Sequence, residues 1–137
     1  MRIYKYELEA FINFLHSLKL ERKNSRMRSK LKKLLIEKLQ EFYEDINEIN
    51  LSYAKKDEQG NPLINNENKV IFLDDKKRLE DLRELANEIV IIEENEVNKE
   101  MLLSVKESVL FYSPLEYEGD EADLYNRFCE IVEEINN

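Results

Sequence analysis

The stretch SRMRSKLKKLLIEKLQEFYEDINEINLSYA, residues 25–54, decides the fold class. Met27, Leu31, Leu34, Leu35, Leu39, Phe42, Ile46, Ile49 and Tyr53 recur in it at steps of three and four. That alternation, held over four heptads, lines one face of an α-helix. It predicts a single helix from about Ser25 to about Ala54, about 45 Å long at ~1.5 Å per residue. A helix of that length exceeds a small domain, so one end is expected to project or to pack on a partner.

Working outward from it, Leu8, Phe11, Ile12, Leu15 and Leu18 show the same spacing and predict a first helix from about Lys5 to Leu18. The polar break Glu21-Arg22-Lys23-Asn24-Ser25 separates the two, with Asn24 and Ser25 as N-cap candidates. So short a connection favours an antiparallel helical hairpin. After the long helix, Lys56-Asp57-Glu58-Gln59-Gly60-Asn61-Pro62 stops the pattern, since Gly60 suits a left-handed cap and Pro62 cannot continue a helix. Leu63-Ile64 and Lys69-Val70-Ile71-Phe72 flank the turn Asn65–Asn68 and read as a β-hairpin, with Ile89–Ile92 as its expected third strand. Three more helices are expected. One is capped by Asp74 or Asp75 and buries Leu79, Leu82, Leu85 and Ala86. One runs from Asn98 to Phe111, and the last from Asp120 to Ile135 with Leu124, Phe128, Ile131, Val132 and Ile135 inside. No internal repeat stands out. The expected fold is mainly α: a bundle of about five helices with a small β-hairpin or three-stranded sheet inserted after the second, in one domain over 1–137.

Composition narrows the function classes. The 137 residues include two glycines, too few for a glycine-rich phosphate cradle or a dinucleotide fingerprint. The single Cys129 can form neither an internal disulfide nor a cysteine zinc site. No apolar run approaches the ~20 residues that span a bilayer, so no membrane association is expected. The opening MRIYKYELEAFINFL carries acids within its apolar stretch and is not expected to be a signal peptide. His16 lies beside apolar positions with no second histidine for a metal cluster, and Cys129 has Glu130, Glu133 and Glu134 as neighbours, the wrong setting for a thiolate. No cofactor, metal or catalysis is therefore expected.

Charge is distributed more informatively. The net charge is -9, yet Lys19, Arg22, Lys23, Arg26, Arg28, Lys30, Lys32 and Lys33 face Glu21 alone between positions 19 and 33, a local charge of +7. Arg22, Arg26 and Lys30 stand four apart, on or near one helix face. From Glu116 to Glu134 eight acids accompany only Arg127, a local charge of -7. Three readings of the basic stretch stay open: balance by the acidic window, docking of an acidic protein surface, and contact with nucleic-acid phosphates. The last lacks interleaved aromatics for base stacking. The candidate partner-binding residues are Lys19, Arg22, Lys23, Arg26, Arg28, Lys30 and Lys33, and a homodimer is compatible with the wide apolar stripe of the long helix.

Asn13-Phe14-Leu15, Leu18-Lys19-Leu20, Ser25-Arg26-Met27-Arg28, the turn Lys56–Pro62 and the segment Gly119-Asp120-Glu121-Ala122-Asp123-Leu124-Tyr125 together resemble a family of small proteins of uncharacterised function from tailed bacteriophages and prophages of Gram-positive bacteria. The resemblance spans most of the chain. It implies a phage-encoded accessory protein without catalytic residues, from genes among late structural and tail genes, acting by protein–protein interaction in virion or tail assembly in the host cytoplasm. Inhibition of a host defence or regulatory protein is the alternative, and nucleic-acid binding through residues 19–33 the other.

Overall fold

The computed structural model describes residues 1–136, and these form a mainly helical fold of two compact units. The first unit holds Met1–Leu39 and the chain from Ile89 onward; the second holds Gln40–Glu88. Five α-helices follow in order: α1 (Leu8–Ser17), α2 (Arg22–Tyr53), α3 (Asp75–Ala86), α4 (Lys99–Phe111) and α5 (Gly119–Glu133). Two short strands, β1 (Arg2–Tyr4) and β2 (Ile89–Ile91), pair antiparallel. A 3-10 turn at Lys5–Glu7 links β1 to α1.

In the first unit the apolar stripes read from the sequence close on one another. Leu8, Phe11 and Leu15 of α1, Leu31 and Leu35 of α2, Leu102, Val105 and Val109 of α4, and Ile131 and Val132 of α5 are wholly buried. Aromatic rings tie α1 to α5: Phe11 meets Phe128 edge-on at 5.3 Å, and Phe128 stacks on Phe14 at 4.9 Å. Between α4 and α5 the Tyr125 hydroxyl donates to the Val109 carbonyl at 2.9 Å, and Lys106 Nζ donates to the Ile135 carbonyl at 2.7 Å. α1 and α2 run antiparallel, since Arg28 reaches Leu18 and Leu15 while Lys32, one turn further along α2, reaches His16.

Three expectations need correction here. Ile89–Ile92 does not extend the hairpin at residues 63–72; its Val90 faces Ile3 of β1, with both side chains buried. An apolar tetrapeptide announces a strand but not its partner, and β1 offered an edge next to the core. α2 begins at Arg22, not Ser25, so Asn24 and Ser25 lie inside its first turn. The turn is made by Arg22 itself, at φ 41°, and the Glu21 carbonyl accepts from the Ser25 N–H. Leu79 and Leu124, expected inside, are exposed at 47% and 45%.

The second unit contains a repeat that the sequence reading missed. Lys55 N–H donates to the Ile71 carbonyl at 2.8 Å, Ile71 N–H to the Leu63 carbonyl at 2.9 Å, and Leu63 N–H to the Lys55 carbonyl at 2.8 Å. Three segments spaced eight residues apart thus close a ring through their main chains. The two connecting loops are superimposable in their bonding. Asp57 Oδ1 accepts from the N–H groups of Gln59 and Asn61, and Asn65 Oδ1 from those of Glu67 and Lys69. Gly60 and Asn68, again eight apart, take φ 82° and φ 63°, which glycine and asparagine tolerate best. The expected hairpin survives as the bridge between Ile64 and Val70, and its third segment is Ala54–Lys56. Alongside, Asp74 caps α3 by accepting from Lys77 N–H, Arg78 lies 4.0 Å over the Phe72 ring and donates to Asn50, and the Tyr53 hydroxyl donates to Asp81.

Candidate functional site

The site begins with the phase of α2. Residues 22, 26, 30 and 33 fall on one face of a helix, and 28, 31 and 35 on another. Leu31 and Leu35 are in the core, so the first set must face outward and Arg28 inward. Arg22, Lys23, Arg26, Lys30 and Lys33 are all exposed, as is Lys19 in the turn before the helix. Arg22, Arg26 and Lys30 follow one another at about 6 Å along the helix axis, four residues at ~1.5 Å each.

Arg28 leaves the set. Its Nη1 donates to the carbonyls of Leu15 at 2.7 Å and Leu18 at 2.8 Å. These carbonyls lie at the C-terminal end of α1, where Leu15 otherwise accepts from the Leu18 N–H at 3.3 Å, and the positive charge also suits the helix terminus. Arg28 therefore holds the turn that presents the other cations. Arg28→Ala is expected to lower the unfolding free energy by about 2 kcal/mol, the scale of hydrogen bonds from a charged donor. Arg26→Ala should shift it by less than ~0.5 kcal/mol, as for an exposed residue. Urea unfolding of both variants checks the contrast, and equal effects would contradict it.

Lys23 is partly engaged as well. It bridges Glu100 of α4 at 2.7 Å, with both side chains more than half exposed. The hydrogen bond and charge of Lys23 hold the Glu100 carboxyl below its ordinary range; burial opposes them, and the charges of Lys30 and Arg26 add smaller contributions. A carboxyl depressed in the folded state stabilises the fold above its unfolded pKa, and that contribution fades as pH falls through the folded value. Glu100→Gln should therefore be less stable than the parent near neutral pH. The two should converge once the carboxylate range has been passed on acidification, as urea midpoints at several pH values would show. Beside this pair the Ser104 hydroxyl donates to Asn24 at 2.6 Å, fixing α4 against the start of α2.

No ion pair among the described residues joins the basic window to the acidic one. Lys19, Arg22, Arg26, Lys30 and Lys33 make none within 4 Å, and neither do Glu116, Glu118, Asp120, Glu121 and Asp123. The one cation of the acidic window, Arg127, is turned inward to Glu7 at 2.6 Å and also reaches Glu130 at 3.4 Å.

Next to the cations lies an open groove of about 670 Å³, with Lys19, Arg22 and Lys23 on one side and Tyr112 and Ser113 on the other. Tyr112 belongs to an exposed apolar segment at the end of α4: Phe111, the last residue of that helix, is 73% exposed, Tyr112 52% and Leu115 100%. The sequence did carry a sign of this. FYSPL, residues 111–115, places three large apolar side chains around Pro114, where the helical spacing has already ended. These side chains supply the apolar companions that the basic stretch lacks in sequence.

The remaining reactive side chains are Cys129 and His16. Cys129 is half-buried on α5, and burial pushes its thiol up, away from thiolate formation. His16 is exposed and accepts at Nδ1 from Lys32 at 2.7 Å. No cluster of three metal-ligating side chains occurs among the described residues, and no helix is long and apolar enough to cross a membrane. Searches of family models, curated proteins and solved structures give no match to the chain.

Proposed function

We propose that the protein is a non-catalytic accessory protein that docks an acidic surface of another protein on the cations at the start of α2. The observation that carries this reading is the row Lys19, Arg22, Arg26, Lys30 and Lys33, exposed and without ion pairs in a chain of net charge -9. Unpaired charge of one sign on a chain of the other sign favours encounter with a complementary partner. The apolar side chains of Phe111, Tyr112 and Leu115 beside it supply area that charge alone does not.

Nucleic acid is a weaker fit. Residues 19–33 hold no aromatic side chain that could stack on bases between the cations. The sequence resemblance to small proteins of tailed phages favours a role in virion or tail assembly in the host cytoplasm, with inhibition of a host protein as the competing assignment.

Affinity capture from phage-infected cells tests the reading, comparing the parent chain with Arg22→Glu/Arg26→Glu/Lys30→Glu. Arg28 is left in place because it holds the fold. A partner captured by the parent and lost from the variant is the expected result. Retention of every partner by the variant would overturn the assigned surface. Binding that falls steeply with salt and is abolished by nuclease would replace a protein partner with nucleic acid.

A further inference from the structure

The cations and the acids that fail to pair within one chain are complementary between two chains. On one side stand Lys19, Arg22, Arg26, Lys30 and Lys33; on the other Glu116, Glu118, Asp120, Glu121 and Asp123, all exposed. The two patches border one another. Tyr112 and Ser113 line the groove against Lys19 and Arg22, and the acids begin three residues later, at Glu116. Between the patches sit Phe111, Tyr112 and Leu115, the last wholly exposed. From the groove the chain thus passes from the cations through an exposed apolar segment to the acids.

We infer that this surface is self-complementary and that the acidic protein docking on it is a second copy of this chain. A two-fold axis through the apolar segment reverses the order of the patches in the partner. Each copy's cations then face the other's acids, and the apolar side chains meet at the centre. This is the anatomy of a small interface: an apolar middle that excludes water, with charges at the rim that fix register. The opposed patches are needed for this, because two chains of charge -9 otherwise repel. The inference rests on the docking surface proposed above and names its occupant.

Sedimentation equilibrium of the full chain tests it, from about 1 to about 300 μM, the span over which weak to moderate association is read. The parent is expected to show a monomer–dimer equilibrium. Arg22→Glu/Arg26→Glu/Lys30→Glu should weaken it at least ~10-fold, and Glu118→Lys/Asp120→Lys/Glu121→Lys should do the same. An equimolar mixture of the two variants should associate again, because a mainly acidic surface now meets a mainly basic one. Leu115→Ser, at a side chain that touches nothing in the monomer, should weaken the parent dimer without changing its circular dichroism. A parent that stays monomeric at the highest concentration overturns the inference, as does a mixture that fails to associate or a dimer indifferent to all three changes. A monomeric parent that still captures an acidic protein through the cations would leave the docking reading standing. A dimer formed as expected, from a chain whose captured partners ignore the cations, would confine the surface to self-association.

Discussion

Phe11→Ala is expected to lower the unfolding free energy by about 3–5 kcal/mol, the range for deleting a buried ring. Phe11 is wholly buried in α1 and makes the edge-on contact with Phe128, which in turn stacks on Phe14. The loss combines the transfer free energy of the ring, the cavity left in its place and an aromatic contact of about 0.5–1.5 kcal/mol. Small domains are stable by only about 5–15 kcal/mol, so the variant should stand near the limit of folding. Phe11→Leu keeps most of the volume and should cost below ~1.5 kcal/mol. Urea unfolding followed by circular dichroism separates the two. A loss under ~1 kcal/mol for Phe11→Ala would mean that this ring does not organise the meeting of α1 and α5.

Arg127→Ala should cost about 2–3 kcal/mol, below the ~3–5 kcal/mol for breaking a fully buried pair because the guanidinium is itself one-third exposed. Its partner Glu7 is 10% exposed and accepts from Arg127 Nε at 2.6 Å and Nη2 at 3.0 Å, with the Tyr4 N–H adding a third bond at 3.1 Å. Truncating the arginine leaves that carboxylate buried with a single donor. The Glu7 hydrogen bonds also hold the arginine charged more firmly than usual. Glu7→Ala/Arg127→Ala removes both charges and should lose less than the sum of the single variants, a coupling that a double-mutant cycle measures. Additive losses would reduce the contact to packing. The pair joins the turn before α1 to α5 across 120 residues, which is why so local a change is expected to reach the whole first unit.

The helices were legible because their signal is local. Spacings of three and four placed Phe11, Leu31, Val105 and Ile131 on inward faces, and each of them is buried. Strand pairing was less legible. Ile89–Ile91 declares itself as a strand, but its partner Arg2–Tyr4 lies at the other end of the chain and is too short to carry a pattern of its own. The inward phase of Arg28 is legible in the sequence. Arg28 precedes Leu31 by three and Leu35 by seven, the phase of the buried stripe, whereas Arg22, Arg26 and Lys30 do not share that phase. Counting cations made them equivalent; helical geometry separates them. Glu100 gave no signal, since only tertiary packing brings α4 to the start of α2. The repeat around Lys55, Leu63 and Ile71 was hidden for another reason. Its copies share backbone requirements, an Asx residue followed three positions later by glycine or asparagine, and almost no side-chain identity.

That ring sets what evolution can vary in residues 53–73. Its three bonds run between main-chain groups of Lys55, Leu63 and Ile71, so the side chains at those corners are free to drift. The number of residues between corners is not free. One residue gained or lost between Asp57 and Asn61 would carry Leu63 out of reach of Lys55 and open the triangle at two sides. In related chains, this segment should diverge readily in composition while keeping its length.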